Sequence, residues 1–246
     1  MNIKAIKKTH LDEAAVLGRS VPKGAAYNYA DFERKIVPKP WGHEYLMYRN
    51  SSVEVWHLYI KEGFTTSLHC HPKKKTAMIV VSGEVIITDL NGAQSFTPPG
   101  GVMIDAGAFH SHRAISPGGA HLIEIETPPD KNDLIRLRDE ARREHKAYEG
   151  TLMREISGIV CVRLPHPKNG GHSRHQVTDV EVCLAHFNGA LTPDQRNFLK
   201  QYDLAAILCG SVDDTYHPTD LFSAKDFAQE KTTVCKEVLT LLFKHP

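Results

Sequence analysis

The stretch from residue 37 to 127 reads as a series of short β-strands separated by tight turns, and it constrains the fold more than any other feature. The strand-like segments are rich in β-branched and aromatic residues and lie at 53–60, 77–81, 84–88 and 121–126. Glycine marks the turns between them, as in Ser82-Gly83 and in Asn91-Gly92, which is a strong hairpin signal. Short strands at this spacing predict a mainly β fold, either a sandwich or a barrel.

Composition divides the chain into four segments. Residues 35–129 form the predicted barrel, and residues 1–34, with a weak helical pattern, form an N-terminal extension rather than a domain. Residues 130–150 are rich in charge but include Leu134, Ile135 and Leu137, which is typical of a surface helix, so we expect a connecting helix there. Residues 151–246 change character and form a separate small domain of unknown role.

This C-terminal segment mixes two kinds of pattern. Short apolar or alternating runs predict strands at 159–164, 180–184 and 204–210. Thr192-Pro193 predicts the start of a helix, since a capping residue precedes a proline in the first turn. Further helices are predicted at 219–229 and 234–243. The order of these elements favours a small α/β module.

Charge and composition exclude some classes of partner and location. Lys and Arg total 30 against 29 Asp and Glu, so the overall charge does not draw the chain to nucleic acid or to a membrane surface. No apolar run reaches the ~18 residues of a membrane span, and residues 1–8 lack the apolar core of a signal peptide. The five cysteines form no CxxC pair and are typical of reduced, buried thiols. We therefore expect a cytoplasmic protein.

Two pairs of histidines predict a metal site inside the barrel. His69 and His71 are two residues apart, as are His110 and His112, and side chains at this spacing in a strand project to the same face. Among 15 histidines one such pair can arise by chance and face solvent, but two pairs about 40 residues apart favour a shared site. Imidazole binds several metals, so the predicted cofactor is a divalent ion, Zn, Fe, Mn or Ni.

The spacing of these residues resembles the two signatures of the cupin barrels. Gly63, the run His69-Cys70-His71 and Gly83 match the first signature, and residues 107–110 match the core of the second. The resemblance implies a jelly-roll barrel.

The same resemblance implies a ligand set for the metal. It implies His69, His71 and His110 as ligands, and we expect His112 to be a fourth ligand, a neighbour of the ligands or a surface residue. The chain departs from the family pattern at Thr76, where a glutamate ligand is usual, and at Asp105, where a proline is usual.

Within the cupins, the chain is similar to the barrel domain of type II mannose-6-phosphate isomerases, which is often fused to mannose-1-phosphate guanylyltransferases. Lys39-Pro40-Trp41-Gly42 resembles the opening of that domain, Ser67-Leu68 and 81–83 its metal strand and turn, and 122–137 its closing segment. The similarity covers about 100 of the 246 residues and implies a sugar-phosphate substrate. The family's glutamine ligand is His69 here, so the isomerase site itself is not reproduced. Cupins commonly pair through their sheets, so a homodimer is also implied.

Basic residues beside the ligand strand are candidates for holding a phosphate. Lys73, Lys74 and Lys75 follow that strand and Arg113 lies near His110, and we predict that they cradle a phosphate at the barrel mouth. Lys73 and Arg113 are also predicted to assist catalysis. The alternative for each lysine taken singly is a solvated loop.

Four further side chains complete the predicted site. Glu124 and Glu126 share one face of their strand, and either can supply a base or a ligand; Glu124 is predicted to be catalytic. His57 and Tyr59 also share a face, and they are predicted to contact substrate if that face lines the barrel. A purely structural role is the alternative for each of them.

A site with three imidazoles leaves open positions for water or substrate, as catalytic metals require. The first hypothesis is a metal-dependent enzyme that isomerises or epimerises a phosphorylated or nucleotide-linked sugar, so the partner is a small-molecule carbohydrate. The alternatives are a three-histidine iron dioxygenase acting on a small acid or thiol, and a non-catalytic carbohydrate-binding cupin.

Overall fold

The computed structural model describes residues 1–168, 170–213, 215–229, 232 and 234–246, and of residues 235 and 236 only the backbone. The strands are β1 (Asn2–Ile6), β2 (Val37–Lys39), β3 (Gly42–Arg49), β4 (Glu54–Ile60), β5 (Leu68–Cys70), β6 (Lys75–Ser82), β7 (Val85–Thr88), β8 (Ala93–Phe96), β9 (Gly100–Ile104), β10 (Ser111–Ala114), β11 (Ala120–Thr127), β12 (Ile135–Arg138), β13 (His172–Val177), β14 (Val180–Asn188), β15 (Leu204–Val212), β16 (Leu221–Ser223) and β17 (Val234–Lys244). The helices are α1 (His10–Val16), α2 (Pro193–Leu199) and α3 (Ala224–Phe227), with 3₁₀ turns at Tyr29–Phe32 and Gly150–Leu152.

A larger and a smaller sheet face each other to form the predicted barrel. The larger sheet has the strand order β1-β9-β6-β11-β4-β3-β2. The smaller one is assembled from β8-β7-β10 and β5-β12, which are joined by the isolated bridges Thr65↔Arg113 and His69↔His110. Apolar side chains fill the space between the inner faces, and they include Trp41, Leu46, Trp56, Leu58, Ile60, Met78, Val80, Val102 and Leu122. This arrangement confirms the predicted jelly roll.

Residues 1–34, expected to be an extension outside the barrel, contribute to it. Strand β1 lies at the edge of the larger sheet and pairs in parallel with β9. Within α1, the buried carboxylate of Asp12 accepts a hydrogen bond of 2.8 Å from the backbone N–H of Phe109. The N-terminal segment therefore covers a sheet edge and holds the backbone next to His110.

The prediction of a connecting helix at 130–150 is wrong. The segment contains strand β12, which pairs with β5, and turns. Several of its charges pair with one another inside the protein instead of facing water: Arg143 Nε lies 2.7 Å from Asp139 Oδ2, and Arg136 Nη2 lies 2.8 Å from Glu149 Oε1. A charge-rich pattern suggested a solvated helix because sequence alone does not show that these charges pair.

The C-terminal module combines a sheet with short helices. Its strand order is β13-β14-β17-β15-β16. The predicted helix start is confirmed, since the Thr192 side chain accepts the backbone N–H of Gln195 at the beginning of α2. Two other expectations are wrong: residues 234–243 lie in strand β17 rather than a helix, and 159–164 are not in a strand. The helix predicted at 219–229 is reduced to α3.

The C-terminal sheet packs face to face on the outer side of the larger barrel sheet. One apolar cluster joins the two, with Val53, Val55, Ile79, Ile123 and Ile125 from the barrel and Val182, Leu184, Leu204, Ala206, Leu241 and Phe243 from the module. Burying each such side chain contributes about 1.5–3 kcal/mol. The chain thus covers the outer face of the larger barrel sheet with its own residues, and the homodimer stays a prediction.

The cysteines and helices bear on the remaining sequence expectations. Cys70 and Cys183 are buried, Cys161 and Cys209 are half-buried, and all four are free thiols; the side chain of Cys235 lies outside the described residues. Within the described ranges, every helix is too short or too polar to cross a membrane.

Candidate metal centre

Three imidazoles converge where strand β5 of the smaller sheet meets His110. His69 and the neighbouring residues of β5 pair with His110 through two backbone hydrogen bonds, of 3.0 Å from the His69 N–H and 2.8 Å from the His110 N–H. The ring centroid of His69 lies 5.0 Å from that of His71 and 4.5 Å from that of His110. One ring nitrogen of each histidine lies within 4.8 Å of one from each of the other two. The structure therefore brings together the three ligands that the resemblance implies.

Backbone carbonyls fix the orientation of all three rings. His69 Nδ1 lies 2.8 Å from Ser67 O, His71 Nδ1 lies 2.6 Å from Asp133 O, and His110 Nδ1 lies 3.0 Å from Ala108 O. Because a carbonyl oxygen only accepts, each Nδ1 must carry the proton and each Nε2 must carry the lone pair. Such outer hydrogen bonds are the usual means of orienting metal-ligating histidines.

The Nε2 atoms fit a bound cation. Nε2 of His71 and of His110 is buried without a hydrogen-bond partner among the described residues. Burial lowers the pKa of His110 to about 4 and those of His69 and His71 well below their ordinary value. Neutral rings with unpaired acceptors are the form that a divalent metal requires.

A second group of possible ligands adjoins the first. His71, Glu124 and Glu126 also place one ligand atom each within 4.8 Å of one another. His112 lines the same space, 5.4 Å from His110 between ring centroids, but is not part of either group. Neither of its ring nitrogens has a hydrogen-bond partner among the residues described.

A buried network of ion pairs surrounds the two glutamates. Lys74 Nζ lies 2.6 Å from Glu126 Oε1, and Lys131 Nζ lies 3.0 Å from Glu126 Oε2 and 3.3 Å from Glu124 Oε2. Lys131 also lies 3.7 Å from Glu44 Oε1 and sits over the ring of Trp56. All of these charges are buried, so each depends on its partners for solvation.

The network separates the two glutamates in acidity. Burial raises the pKa of Glu124 to about 7, with the charge of Glu126 adding to the rise and Lys131 opposing it. Burial acts in the same direction on Glu126, but the ammonium groups of Lys131 and Lys74 outweigh it and lower the pKa to about 2. Glu126 is therefore a fixed carboxylate, whereas Glu124 can gain and lose a proton near neutral pH.

The site opens into a small cavity in the barrel. About 60 Å³ is available to the centres of water molecules. Since one water needs about 10–15 Å³ by this measure, the space holds about four waters, or an ion with one end of a larger molecule. Its polar lining comprises Lys39, Glu44, Thr66, Ser67, His69, His71, His112, Glu124, Glu126, Lys131, Arg136, Arg143 and Tyr148.

The predicted phosphate cradle does not form. Lys73, Lys75 and Arg113 are exposed and do not line the cavity. Lys74 is buried and bonded to Glu126, because its position in the turn before β6 points it inward. The cations that do line the cavity are Lys39, Lys131, Arg136 and Arg143.

His57 and Tyr59 face away from the metal centre. They lie on the outer face of β4, where His57 stacks on Tyr45 at 4.6 Å between centroids and Nε2 of His57 lies 3.0 Å from Nδ1 of His121. Both line a separate cavity between the barrel and the C-terminal module, together with His43 and Val177. Their predicted contact with a substrate inside the barrel is wrong, because the opposite face of β4 lines the core.

The position of His57 on the outer face of β4 leads to a prediction of how stability changes with pH. Burial, with smaller effects from His121 and His43, lowers the pKa of His57 well below its ordinary value. The unfolded chain then binds more protons, so stability falls as the pH drops below about 6.5, by at most about 1.4 kcal/mol per pH unit for one imidazole. Urea unfolding from pH 7.5 to 5.5 should give a shallower decline for His57→Phe than for the natural chain. Equal slopes would contradict a neutral, buried His57.

Sequence reasoning missed several residues that position the site. Asp133 is the clearest: its carbonyl orients His71, and its carboxylate accepts the backbone N–H groups of Lys73 and Lys74 at 2.8 and 3.1 Å. Lys131 and Arg136 were missed because their segment was assigned to a solvated helix. Lys39 and Trp41 lie in a motif that the sequence did single out, but no role was assigned to them.

Comparison with known proteins finds one sequence relative and several weakly similar structures. No protein-family model matches the chain. A mannose-1-phosphate guanylyltransferase from Sinorhizobium fredii is 29% identical over 141 residues, 54% of this chain and 27% of that protein. The chain thus spans about a quarter of that relative's length.

Solved structures show weak likeness over the barrel. An RmlC-like cupin from Shewanella frigidimarina has a TM-score of 0.37 and 15% identity over 44% of this chain and 96% of its own. A putative sugar phosphate isomerase from Acidithiobacillus ferrooxidans has a TM-score of 0.32 and 20% identity over 37% of this chain and 63% of its own. With its facing sheets, the barrel of this chain is a jelly roll, which is the fold that the resemblance to the cupins implies.

Proposed function

We propose that this protein is a metal-dependent enzyme that isomerises or epimerises a phosphorylated or nucleotide-linked sugar. The observation that carries the proposal is the group of three oriented imidazoles, two of which (His69 and His71) line one cavity together with Glu124, a carboxyl of pKa about 7. Moving a proton next to a carbonyl needs an electrophile for the oxygen and a base for the carbon, and the two groups of side chains can supply both.

Each group has a distinct role in this proposal. His69, His71 and His110 hold the divalent ion, which when bound supplies Lewis-acid polarisation of a carbonyl or hydroxyl oxygen. In isomerisation, Glu124 accepts the proton from the carbon beside the carbonyl and returns it to the carbonyl carbon on the same face, while the proton of the adjacent hydroxyl passes to the carbonyl oxygen. In epimerisation, a second proton donor must protonate the opposite face of that carbon. The ammonium of Lys131, 3.3 Å away, stabilises the ionised form of Glu124 before the first transfer and after the second.

Two observations support a sugar as the substrate. The Lys39-Pro40-Trp41-Gly42 motif resembles the opening of the sugar-phosphate isomerase barrels, and Lys39 and Trp41 line the cavity. The relative from Sinorhizobium fredii is named for mannose 1-phosphate. Because the cavity is small, only the reacting end of a sugar enters it, and its charged part must lie nearer the mouth.

Proton exchange with solvent tests the reaction without knowledge of the product. The metal-loaded protein would be incubated in D₂O with a panel of aldose and ketose phosphates and nucleotide-linked sugars. We expect at least one sugar to gain deuterium at the carbon next to its carbonyl, and we expect a chelator to stop the gain. Absence of exchange across the panel, or exchange that survives complete removal of metal, would overturn the proposal.

Replacement of Glu124 by glutamine tests the role of the base. Glutamine keeps the shape of the side chain but cannot take up a proton, so exchange should slow by about 10²–10⁴-fold. Glu54→Gln is a comparison variant, because Glu54 is equally buried but bonds Trp56 Nε1 and does not line the cavity. A Glu124→Gln protein that exchanges at the natural rate would remove Glu124 as the base.

The small cavity also favours one competing function, iron-dependent oxygenation of a small acid or thiol. A space for about four waters admits such a molecule whole. Oxygen uptake that requires ferrous iron and a small acid or thiol, without deuterium exchange in sugars, would favour this function over isomerisation.

A further inference from the structure

Glu126 lies beside His71, the imidazole that both groups of possible ligands share, at a distance that suits a shared ion. Its Oε1 is 3.5 Å from Nε2 of His71, the ring nitrogen that carries a lone pair. Two ligand atoms each about 2.0–2.2 Å from one metal ion are roughly 3.0–3.5 Å apart at tetrahedral or octahedral angles. The neutral His71 ring cannot donate from Nε2 to the carboxylate, because its proton is on Nδ1. An ion between the two atoms would satisfy both of these acceptors.

The position of Glu126 in the sheet explains how its carboxylate reaches the site. Glu126 on β11 is the register partner of Thr76 on β6, so the two side chains stand side by side on the same face. The Thr76 hydroxyl is buried without a hydrogen-bond partner among the described residues. Because the Thr76 side chain is short, the longer Glu126 side chain from β11 can occupy the space above β6.

Existing bonds leave Glu126 able to bind an ion. Lys74 and Lys131 approach different oxygens of the carboxylate, at 2.6 and 3.0 Å. Each carboxylate oxygen has two lone pairs, so Oε1 can accept from Lys74 and still face His71. The two ammonium groups keep the carboxylate ionised and hold it in place.

We infer that Glu126, supplied by β11, is the carboxylate ligand of the ion that His71 binds. This inference rests on the proposed metal centre, and it leaves Glu124, which bonds only Lys131 among the described ion pairs, free to act as the base. The chain then has a carboxylate ligand although position 76 carries a threonine.

The test measures affinity for cobalt(II) alone, by calorimetry and by the visible absorption of the bound ion. Removing a residue that only hydrogen-bonds to a metal ligand typically weakens metal binding about 10–100-fold. Removing a ligand should weaken it more, so we expect the cobalt affinity of Glu126→Gln to fall by at least about 100-fold. Glu124→Gln, which removes a carboxylate from the same face of β11, should change the affinity by less than about 10-fold. The double variant Thr76→Glu, Glu126→Gln should recover most of the binding, because the carboxylate returns from the paired position.

Further variants separate a ligand from a structural ion pair. Lys74→Met removes a competing cation, so it should leave cobalt affinity unchanged or increase it, whereas a structural role for the pair would decrease it. Glu126→Asp keeps the charge but withdraws the oxygens by one methylene, and it serves if the glutamine variant does not fold; it too should bind cobalt weakly. A Glu126→Gln or Glu126→Asp protein that binds cobalt like the natural chain would overturn the inference. Failure of the natural chain itself to bind any divalent metal would instead overturn the proposed function.

Discussion

Replacement of His71 by alanine should abolish tight metal binding and, with it, deuterium exchange into sugar substrates. His71 is the residue shared by both groups of possible ligands, so its loss dismantles either arrangement. We expect metal affinity to fall by more than about 100-fold, the upper end of the effect of removing a mere partner of a ligand. Elemental analysis of the purified variant and calorimetric titration with zinc and cobalt would measure the loss.

A comparison variant shows that the effect belongs to the site. His57 is also a deeply buried imidazole in a barrel strand, but it faces the outer side of the larger sheet. His57→Ala should lose stability and keep its metal. Retention of a full equivalent of metal by His71→Ala would show that the ion, if bound, is held elsewhere.

Replacement of Lys131 by methionine should have the largest effect on stability. Methionine approximates the length of the side chain but leaves Glu44, Glu124 and Glu126 without the ammonium that lies within 3.7 Å of each. Removing one partner from a buried ion pair typically costs about 3–5 kcal/mol. Urea unfolding at pH 7 should show a loss of free energy of unfolding in that range.

The pH dependence of this loss identifies its cause. Without Lys131 the pKa of Glu126 rises from its low value and that of Glu124 rises further, so the folded state takes up protons as the pH falls towards 5. The difference between the natural chain and Lys131→Met should therefore shrink from pH 7 to pH 5. Lys75→Met, on the exposed side of β6, should change stability by less than about 0.5 kcal/mol. A loss for Lys131→Met below about 1 kcal/mol at pH 7 would contradict the network.

The barrel and its imidazoles could be predicted because both depend on short-range patterns. Alternation along β4 and β11, with glycine turns between strands, reports which side chains share a face, and the same rule places His69 and His71 together. Pairing of His69 with His110 followed from a family resemblance rather than from the pattern itself. Which face of β4 lines the barrel could not be decided from the sequence, so the prediction for His57 and Tyr59 depended on a face that the structure places on the outside.

The missed features depend on partners far away in the chain. Arg136 and Lys131 read as solvent-exposed charges because their carboxylate partners, such as Glu149 and Glu44, are identified only in three dimensions. Strand β17 was assigned to a helix for a related reason. Leu241 packs towards the barrel and Leu242 towards α2 and α3, so both faces are apolar and the two-residue period is hidden.

The sandwich of the C-terminal sheet against the barrel has a consequence for experiments on parts of this protein. A barrel produced without the module would expose Val55, Ile79 and Ile125 to water as a continuous apolar patch, which favours aggregation. The barrel and the C-terminal module therefore share one hydrophobic interface, so destabilising either of them also destabilises the other. The proposed metal site in the barrel therefore depends on the integrity of a module none of whose described residues lines the cavity.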